Sequence, residues 1–397
     1  MSMQHSLRRQ LRRLRDHRTN DSVIDDALGR PNLPYRPRVL VIVMRRLGDV
    51  FLTTPLLRTL RKGLPDATID VLVFHGTQGI LQGNPDINSI ITLPQRPSTR
   101  ELLALMYYLR RRYEIAISTQ TGDRPTLLAY VAGRCRIGLA PPEGKSGAWW
   151  KRRVLDLPVT ADPDNHRVPE LLRLTESLGI VSQPDLVCAA NSSSTTVIRS
   201  IVPSERYAVL HANPMYRFRR WTDDGWRSLA HALADRGLSV VATGGSDSAE
   251  RAYLDSLWAP IDPPVYRVDG RLDWPELQAL ISGAAVYVGP DTSMTHVAAG
   301  TGCPTVALYG PASPHRIGPW ALGGLAEPWA PAGRIQRRGN VWVVQNPLPC
   351  LPCEKLGCEG HYESPSRCLN ELTVAQVLEA VDQALAEALT KTNAHVS

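Results

Sequence analysis

Two successive series of short apolar segments, each alternating with amphipathic segments, constrain the fold of this chain most strongly. The first series begins with RVLVIVM and continues with TIDVLVF, SIITL and EIAIST. The second begins with YAVLHAN and continues with SVVATGG, AVYVGPD and PTVALYG. Apolar strands that alternate with helices are typical of right-handed βαβ units and buried parallel sheets. We therefore expect an α/β fold with two Rossmann-like domains whose parallel sheets face a central cleft.

The length of 397 residues also favours two domains over one. We predict a basic N-terminal extension and linker over residues 1–36, an N-terminal domain over 37–195 and a C-terminal domain over 203–397. The Pro- and Ser-rich stretch at about 185–203 has the composition of an interdomain linker.

The charge of the chain indicates anionic partners. The 45 Lys and Arg outnumber the 38 Asp and Glu, which gives a net charge of +7. Nucleic acid, an acidic membrane surface and a phosphorylated substrate all fit this excess. Near the N-terminus, apolar residues recur at helical spacing among arginines, which predicts either a basic amphipathic helix on an anionic membrane or a solvated tail. These apolar residues are Met3, Leu7, Leu11 and Leu14. The segment lacks the apolar region of a secretory signal, so we expect a cytoplasmic protein.

An aspartate follows the first predicted strand, in the stretch RRLGDVFLTTP. Asp49 lies between Gly48 and an apolar run, and the residue type fits three roles: a helix cap, a ligand for the sugar of a cofactor, or a catalytic base. Arg45 and Arg46 precede it. They either change the electrostatic environment of the carboxylate or bind an anionic substrate. Gly48 leaves clearance for a substrate beside the carboxylate.

A second candidate site follows a strand in the other half, within VYVGPDTSMTHVAAGTG. Ligands of open α/β sheets bind at the carboxyl ends of strands, and a helix N-terminus there suits a phosphate. The hydroxyls of Thr292 and Ser293 add donors, Asp291 can accept sugar hydroxyls, and His296 lies on the helix. The alternative is that Asp291 or Thr292 only caps the helix.

Arginines follow the first strand of the second half, within HANPMYRFRRW. Guanidinium groups bind phosphate oxygens in a bidentate way, so Arg219 and Arg220 are candidates to clamp a diphosphate. Asn213, from the same stretch, and Gly244, from a Gly-rich turn after the next strand, complete the set of residues predicted around this diphosphate. The alternative is a solvated basic loop.

Four cysteines cluster near the C-terminus with the spacing C-x2-C-x4-C-x9-C. In a chain without an export signal, such a cluster favours a structural zinc or iron over disulfides or reduced thiols. Four thiolates leave no open coordination position, so we expect no catalytic metal. The predicted ligands, all within residues 350–368, are Cys350, Cys353, Cys358 and Cys368, with His361 as an alternative to one of them.

Several of these segments resemble one known family. LGDVFLTTPLLRTLRKGLP and GPDTSMTHVAAGTGCPTVALYGP are similar to the two signature segments of glycosyltransferase family 9, the heptosyltransferases of lipopolysaccharide assembly. The resemblance extends from about Arg38 to about Val381. It implies the GT-B fold, with a nucleotide sugar held mainly by the C-terminal domain, and inverting transfer from an ADP-sugar, usually ADP-heptose.

The resemblance also implies roles for individual residues. Asp49 matches the proposed general base, Asp291 and Thr292 match donor contacts, and His296 matches the histidine of the motif. Two departures are that arginines stand where the family usually has a lysine, and that DTSM replaces the commoner DTG. The C-terminal cysteines resemble those of protein heptosyltransferases in which four cysteines hold an iron.

The expected partners follow from the same resemblance. They are a nucleotide-sugar donor, an anionic glycolipid such as a lipopolysaccharide core as acceptor, and peripheral contact with the cytoplasmic face of the inner membrane, without nucleic acid. Arg45, Arg46 and Gly48 are the predicted acceptor-binding residues. Alternatives are another nucleotide sugar, a protein acceptor or, from a different class, a nucleic-acid-binding protein that uses its basic N-terminus.

Overall fold

The computed structural model describes residues 33–189, 192–202, 204, 206–262 and 264–394. The predicted amphipathic helix near the N-terminus lies outside these residues. Among the helices in the described ranges, none is long and apolar enough to cross a membrane.

The first half of the chain forms a six-stranded sheet in the order β3-β2-β1-β4-β5-β6, and all its neighbouring strands pair in parallel. β1 lies in the interior of this sheet, and five of its six residues are buried, as its continuous apolar sequence predicts. The strands are β1 (Arg38–Val43), β2 (Thr68–Phe74), β3 (Ser89–Leu93), β4 (Tyr113–Ser118), β5 (Gly133–Ala140) and β6 (Leu157–Thr160).

Helices cover both faces of this sheet. One layer contains α2 and α6, which pack against each other. The other contains α3 and α4, whose apolar sides pack with Leu40 and Ile42 of β1. The helices of this half are α1 (Leu47–Phe51), α2 (Thr54–Gly63), α3 (Thr99–Leu109), α4 (Asp123–Ala132), α5 (Ala148–Val154) and α6 (Arg167–Glu176).

The second half forms a seven-stranded sheet in the order β12-β13-β11-β10-β7-β8-β9. Only the edge pair β12 and β13 is antiparallel within the part of the chain that the structure describes. The strands are β7 (Tyr207–Leu210), β8 (Ser239–Ala242), β9 (Tyr266–Arg267), β10 (Val286–Pro290), β11 (Thr305–Leu308), β12 (Ile335–Arg338) and β13 (Val341–Val344). The two sheets confirm the predicted α/β class.

The helices of the second half begin with one that connects the two sheets, α7 (Ser192–Ile201). The others are α8 (Asp223–Asp235), α9 (Ser248–Trp258), α10 (Trp274–Ser282), α11 (Ser293–Thr301), α12 (Pro314–Ile317), α13 (Arg367–Asn370) and α14 (Val374–Ala394).

The halves contact each other at the carboxyl ends of their central strands. α1, which follows β1, packs against α11, which follows β10. A Cβ placed on Gly300 of α11 would lie 3.0 Å from Cζ of Phe51 of α1. This contact brings the two stretches that the sequence singles out to the same place.

Some local predictions differ from the structure. Part of the predicted linker at 185–203 forms α7, which packs against α10. Ile198 of this helix is buried, so the Ser- and Thr-rich composition conceals an apolar side. The sequence pattern also misses β5, because Arg134 and Arg136 interrupt its apolar run while the backbone pairs with β4 and β6. The domain limits themselves stay a prediction.

Candidate active site

Asp49 lies on α1, five residues after Met44, the buried residue that directly follows β1. It is in the first turn of this short helix, but the helix has no side-chain cap among the described residues. The carboxylate is partly exposed, with 23% of its side-chain surface accessible. It is therefore both reachable from the cleft and not used as the cap of its helix.

Two arginines hold the carboxylate of Asp49. Nη1 of Arg45 lies 3.1 Å from Oδ1, and Nε of Arg167 lies 3.6 Å from the same oxygen. Arg45 is half exposed, whereas Arg167 is buried. Arg167 is itself held by Glu170 at 3.1 Å and donates to the backbone oxygen of Thr119 at 2.9 Å. The carboxylate is thus held by Arg45, a surface arginine, and by Arg167, which is itself fixed by other groups in the protein.

Arg167 is the functional candidate that the sequence predictions omit. It is the first residue of α6, where a positive side chain is unfavourable because the helix N-terminus already carries partial positive charge. Burial lowers the pKa of Arg167, and the carboxylates of Asp49 and Glu170 oppose that shift. A buried cation at a helix N-terminus costs stability unless acids compensate it. Its position in the stretch NHRVPE, at the start of a predicted helix, is the sequence signal that could have identified it.

Gly48 lies against α11, where the two halves of the chain meet. A Cβ at this position would lie 3.2 Å from Cδ2 of His296 and 3.6 Å from Cα of Ser293. The glycine therefore provides close approach between the halves. Its neighbour Asp49 is brought next to the start of α11.

His296 is buried at this contact, and its Nδ1 has no hydrogen-bond partner among the described residues. Burial lowers the pKa of His296, while the negative charges of Asp291 and Asp49 raise it and Arg219 lowers it. The ring is therefore neutral near pH 7. It lies within electrostatic range of the carboxylates of both halves.

The N-terminus of α11 has the free donors that a phosphate site needs. Thr292 occupies the N-cap position, yet its side chain makes no capping bond within the described structure. Its hydroxyl lies 3.5 Å from that of Thr295 instead. Ser293 is partly exposed at the first helical position. The first backbone N–H groups are therefore not satisfied by a cap and can bind an anion.

Asp291 and Arg219 form an ion pair beside this helix start. Nη1 of Arg219 lies 3.1 Å from Oδ2 of Asp291 and donates to its backbone oxygen at 2.8 Å. Asp291 is almost completely buried, with 3% of its surface exposed. The pair joins the arginine turn after β7 to the DTSM motif after β10. The predicted clamp of a diphosphate by Arg219 and Arg220 stays a prediction.

Arg220 points elsewhere. Its Nη2 donates to Oδ1 of Asn213 at 2.7 Å, and its guanidinium carbon lies 4.0 Å from the centre of the Tyr253 ring. Arg220 and Asn213 therefore form a separate hydrogen-bonded pair in the same turn, and Arg220 packs against α9. Of the two arginines, Arg219 is the one that contacts Asp291.

Gly244 follows β8 and packs inward. A Cβ there would lie 2.4 Å from Cδ1 of Leu254 and 3.2 Å from Oδ1 of Asp269. That oxygen of Asp269 is buried and has no hydrogen-bond partner among the described residues. The structure gives Gly244 a packing requirement, and its donor contact stays a prediction.

Arg46 reaches across the cleft. Its guanidinium carbon lies 4.8 Å from the centre of the Tyr216 ring in the second half. Of the two arginines before Asp49, Arg45 contacts the carboxylate and Arg46 contacts the opposite domain. Whether either arginine binds an acceptor stays a prediction.

The cysteine-rich segment supports the arginine turn. The ring of Tyr362 lies 4.8 Å from that of Tyr216, and the hydroxyl of Ser366 donates to the backbone oxygen of Phe218 at 2.6 Å. Phe218 lies between Arg217 and Arg219 in the same turn. The segment at 350–368 therefore packs directly behind the candidate donor site.

The four cysteines of this segment are free thiols. Burial, and to a smaller extent the nearby thiols of the other three cysteines, raises the pKa of Cys368 to about 12, so the four thiols lie close enough to interact electrostatically. The backbone N–H of Arg367 also donates to Sγ of Cys358 at 3.3 Å. However, no three His, Cys, Asp or Glu side chains in the described ranges are arranged as metal ligands. The metal therefore stays a prediction from the spacing of the cysteines.

Two Rossmann-like domains that contact each other at the carboxyl ends of their central strands, with a carboxylate on one and an arginine beside a helix N-terminus on the other, give this chain the GT-B fold. The model of glycosyltransferase family 9 (heptosyltransferase) matches residues 102–323, and the chain belongs to this family.

Known proteins similar to this chain agree with that assignment. Lipopolysaccharide heptosyltransferase 3 of Escherichia coli K12 is 28% identical over 280 residues, which cover 67% of this chain and 80% of the relative. The structure of E. coli ADP-heptose lipopolysaccharide heptosyltransferase II matches with a TM-score of 0.68 and 21% identity over 88% of this chain and 99% of that one. A family 9 glycosyltransferase from Veillonella parvula DSM 2008 matches with a TM-score of 0.70 and 19% identity over 88% and 97%. The GT-B prediction is therefore confirmed.

Proposed function

We propose that this glycosyltransferase moves a heptose from ADP-heptose to a lipopolysaccharide core acceptor. The observation that carries the proposal is the packing of Gly48 against Ser293 and His296, since it brings Asp49 beside an uncapped helix N-terminus. The names of the relatives, which are lipopolysaccharide heptosyltransferases, support this choice of sugar and acceptor.

Asp49 is the proposed general base. The acceptor hydroxyl oxygen attacks the anomeric carbon as its proton passes to the carboxylate, and the bond between that carbon and the diphosphate oxygen breaks. Attack opposite the leaving group inverts the anomeric centre. Arg45 and Arg167 hold the carboxylate in one orientation through its Oδ1, which leaves Oδ2 for the proton.

Arg219 and the first N–H groups of α11 are the proposed stabilisers of the leaving nucleoside diphosphate. Negative charge grows on the diphosphate as the glycosidic bond breaks, and preorganised cations and dipoles lower the barrier most where charge develops. Arg219 is held by Asp291 and so does not have to reorganise during the reaction. Asn213, Arg220, Gly244, Thr292 and Ser293 are the further donor-binding residues of the proposal.

The positive charge of two arginines is the basis for the proposed acceptor-binding side of the cleft. Arg46 and Arg45 lie at the edge of the cleft, and an acceptor that carries phosphates or acidic sugars complements them. Peripheral contact with the cytoplasmic face of the inner membrane is part of the proposal, supported by the net charge of +7. A protein acceptor or another nucleotide sugar would use the same machinery.

Calorimetry with the full-length protein tests the donor. We expect ADP-heptose to bind at least about tenfold more tightly than UDP- and GDP-sugars, since the site must recognise the base as well as the diphosphate. Mass analysis of the product after incubation with ADP-heptose and lipopolysaccharide core oligosaccharide should show one added heptose. Tighter binding of a UDP-sugar would contradict the heptose proposal and leave the fold assignment intact.

We also propose, from their spacing, that Cys350, Cys353, Cys358 and Cys368 bind one structural zinc or iron. The N–H bond to Sγ of Cys358 supports this, because thiolates bound to metals accept such bonds. Protein purified without added metal should contain about one metal ion per chain by elemental mass spectrometry. Cys358→Ser should lose the ion, whereas Cys303→Ser, at a buried cysteine of the core, should retain it. Metal-free wild-type protein with full activity would contradict the proposal.

A further inference from the structure

Three neighbouring helices of the N-terminal domain expose large apolar and aromatic side chains on one surface. We propose that this surface, called the α3–α5 surface, binds an anionic lipid bilayer. The proposal extends the proposed function. Its activity measurement rests on that function, whereas its vesicle-binding measurement does not. The apolar and aromatic members of the α3–α5 surface are Leu103 and Tyr107 of α3, Leu127 and Tyr130 of α4, and Trp149 of α5.

Hydrogen bonds hold these three helices side by side. The N–H of Arg111, after α3, donates to the backbone oxygen of Val131 in α4 at 2.8 Å. Nη1 of Arg124 in α4 donates to the backbone oxygen of Gln95, before α3, at 3.0 Å. Lys151 of α5 is bound both to the backbone oxygen of Thr121 at 2.6 Å and to Asp123 at 2.8 Å. The exposed side chains therefore belong to one layer on one face of the sheet.

The exposure of these side chains is too large for incidental surface residues. Tyr107 is 83% exposed, Trp149 76% and Leu103 60%. On α3 the core-facing side is filled separately by Leu105 and Leu109, so the exposed pair at spacing i, i+4 forms a second apolar stripe. Clustered exposed apolar residues with a polar rim mark interaction sites.

The charge around the α3–α5 surface identifies the partner. Residues 96–153 contain twelve Lys and Arg but four Asp and Glu, an excess larger than the net charge of +7 of the whole chain. Two of those acids, Glu114 and Asp123, are already paired with Arg38 and Lys151. The partner must therefore be anionic.

Several of the cations are available to that partner. Arg100, Arg110 and Arg153 are exposed and form no ion pair with any residue in the described ranges. Tyr and Trp favour the headgroup level of a bilayer because their rings are amphipathic, and arginines around them contact lipid phosphates. Leucines among the aromatic side chains favour an apolar acyl boundary over nucleic acid, whose bases stack on aromatic rings.

The position of the surface relative to the site fits a membrane-bound acceptor. The loop after β4 is bound from one side by Lys151 of α5, at Thr121, and from the other by Arg167, at Thr119. Arg167 is the residue that holds Asp49. The α3–α5 surface therefore begins one loop away from the proposed base, at the edge where a lipid-linked acceptor would enter.

Sedimentation of the full-length protein with vesicles of about 30 mol% phosphatidylglycerol in phosphatidylethanolamine tests the surface. The double variant Tyr107→Ser/Trp149→Ser and the double variant Arg100→Gln/Arg153→Gln should each lower the vesicle partition coefficient by about tenfold or more. Val181→Ser is the matched control, because Val181 is 80% exposed and lies after α6, outside the surface. It should leave partition unchanged, and thermal unfolding should show that all variants are folded.

Wild-type partition in both double variants would overturn the proposal. Loss of duplex DNA or RNA binding with unchanged vesicle partition would assign the surface to nucleic acid and also overturn the proposal.

Transfer from ADP-heptose provides the activity measurement. The Tyr107→Ser/Trp149→Ser variant should lose activity toward lipopolysaccharide in vesicles and keep it toward the deacylated core. Absence of transfer to either acceptor by the wild type would contradict the proposed function, while the sedimentation result still decides the surface.

Discussion

Replacing Asp49 with asparagine is expected to lower kcat for sugar transfer by about 10²- to 10⁴-fold, the usual contribution of a general base. The amide keeps the shape of the side chain but cannot accept the acceptor proton. Glu170 continues to compensate the buried Arg167, so the fold should be retained. Donor affinity should change little, because the proposed donor contacts lie on the opposite domain. Turnover with saturating donor and acceptor, together with calorimetry of the donor, measures both effects.

The matched control for this change is Asp66→Asn, at an exposed aspartate in the loop after α2. It alters charge equally and should leave turnover unchanged. A folded Asp49→Asn variant with turnover near the wild-type value would remove Asp49 from the role of base.

Replacing Arg219 with glutamine should lower kcat/KM by about 10²- to 10³-fold, the scale seen when one preorganised donor to a developing anion is removed. The change removes the cation that pairs with Asp291 beside the uncapped start of α11 and leaves that buried carboxylate without a cationic partner. Affinity for ADP should fall as well, because the diphosphate loses a charged contact. Steady-state kinetics and calorimetry with ADP separate the two losses.

Arg217→Gln is the control, since Arg217 lies in the same short turn and is exposed. It removes the same charge two residues away and should change kcat/KM little. Equal losses in both variants would indicate a general electrostatic effect of the turn, in contradiction to a specific role for Arg219.

The fold could be predicted because its signal is repeated and local. RVLVIVM and YAVLHAN both read as buried parallel strands, and both contribute to interior strands of their sheets, β1 and β7. Prediction failed where tertiary pairing outweighs composition. The Ser- and Thr-rich α7 is stabilised by burying Ile198, and β5 is stabilised by strands on both sides despite its arginines.

The site could be predicted in part, because residues at strand ends reach the same edge of a sheet. That rule places Asp49, Asp291 and Arg219 near the cleft, but it cannot tell which of two adjacent arginines points to the donor motif. Only the structure separates Arg219, on Asp291, from Arg220, on Asn213. Arg167 was missed because its contact with Asp49 spans 118 positions of the chain and follows no local pattern.

The contact between Gly48 and His296 has a mechanical consequence for the reaction. No side chain projects from the first domain at this point, and a flat imidazole ring projects from the second. The distance between the proposed base and the start of α11 therefore depends on the close contact of the edge of the His296 ring with bare backbone. A methyl group added at Gly48 would lie 3.2 Å from Cδ2 of this ring, so the ring would have to shift by a few tenths of an ångström and the reach of Asp49 toward the sugar would change with it.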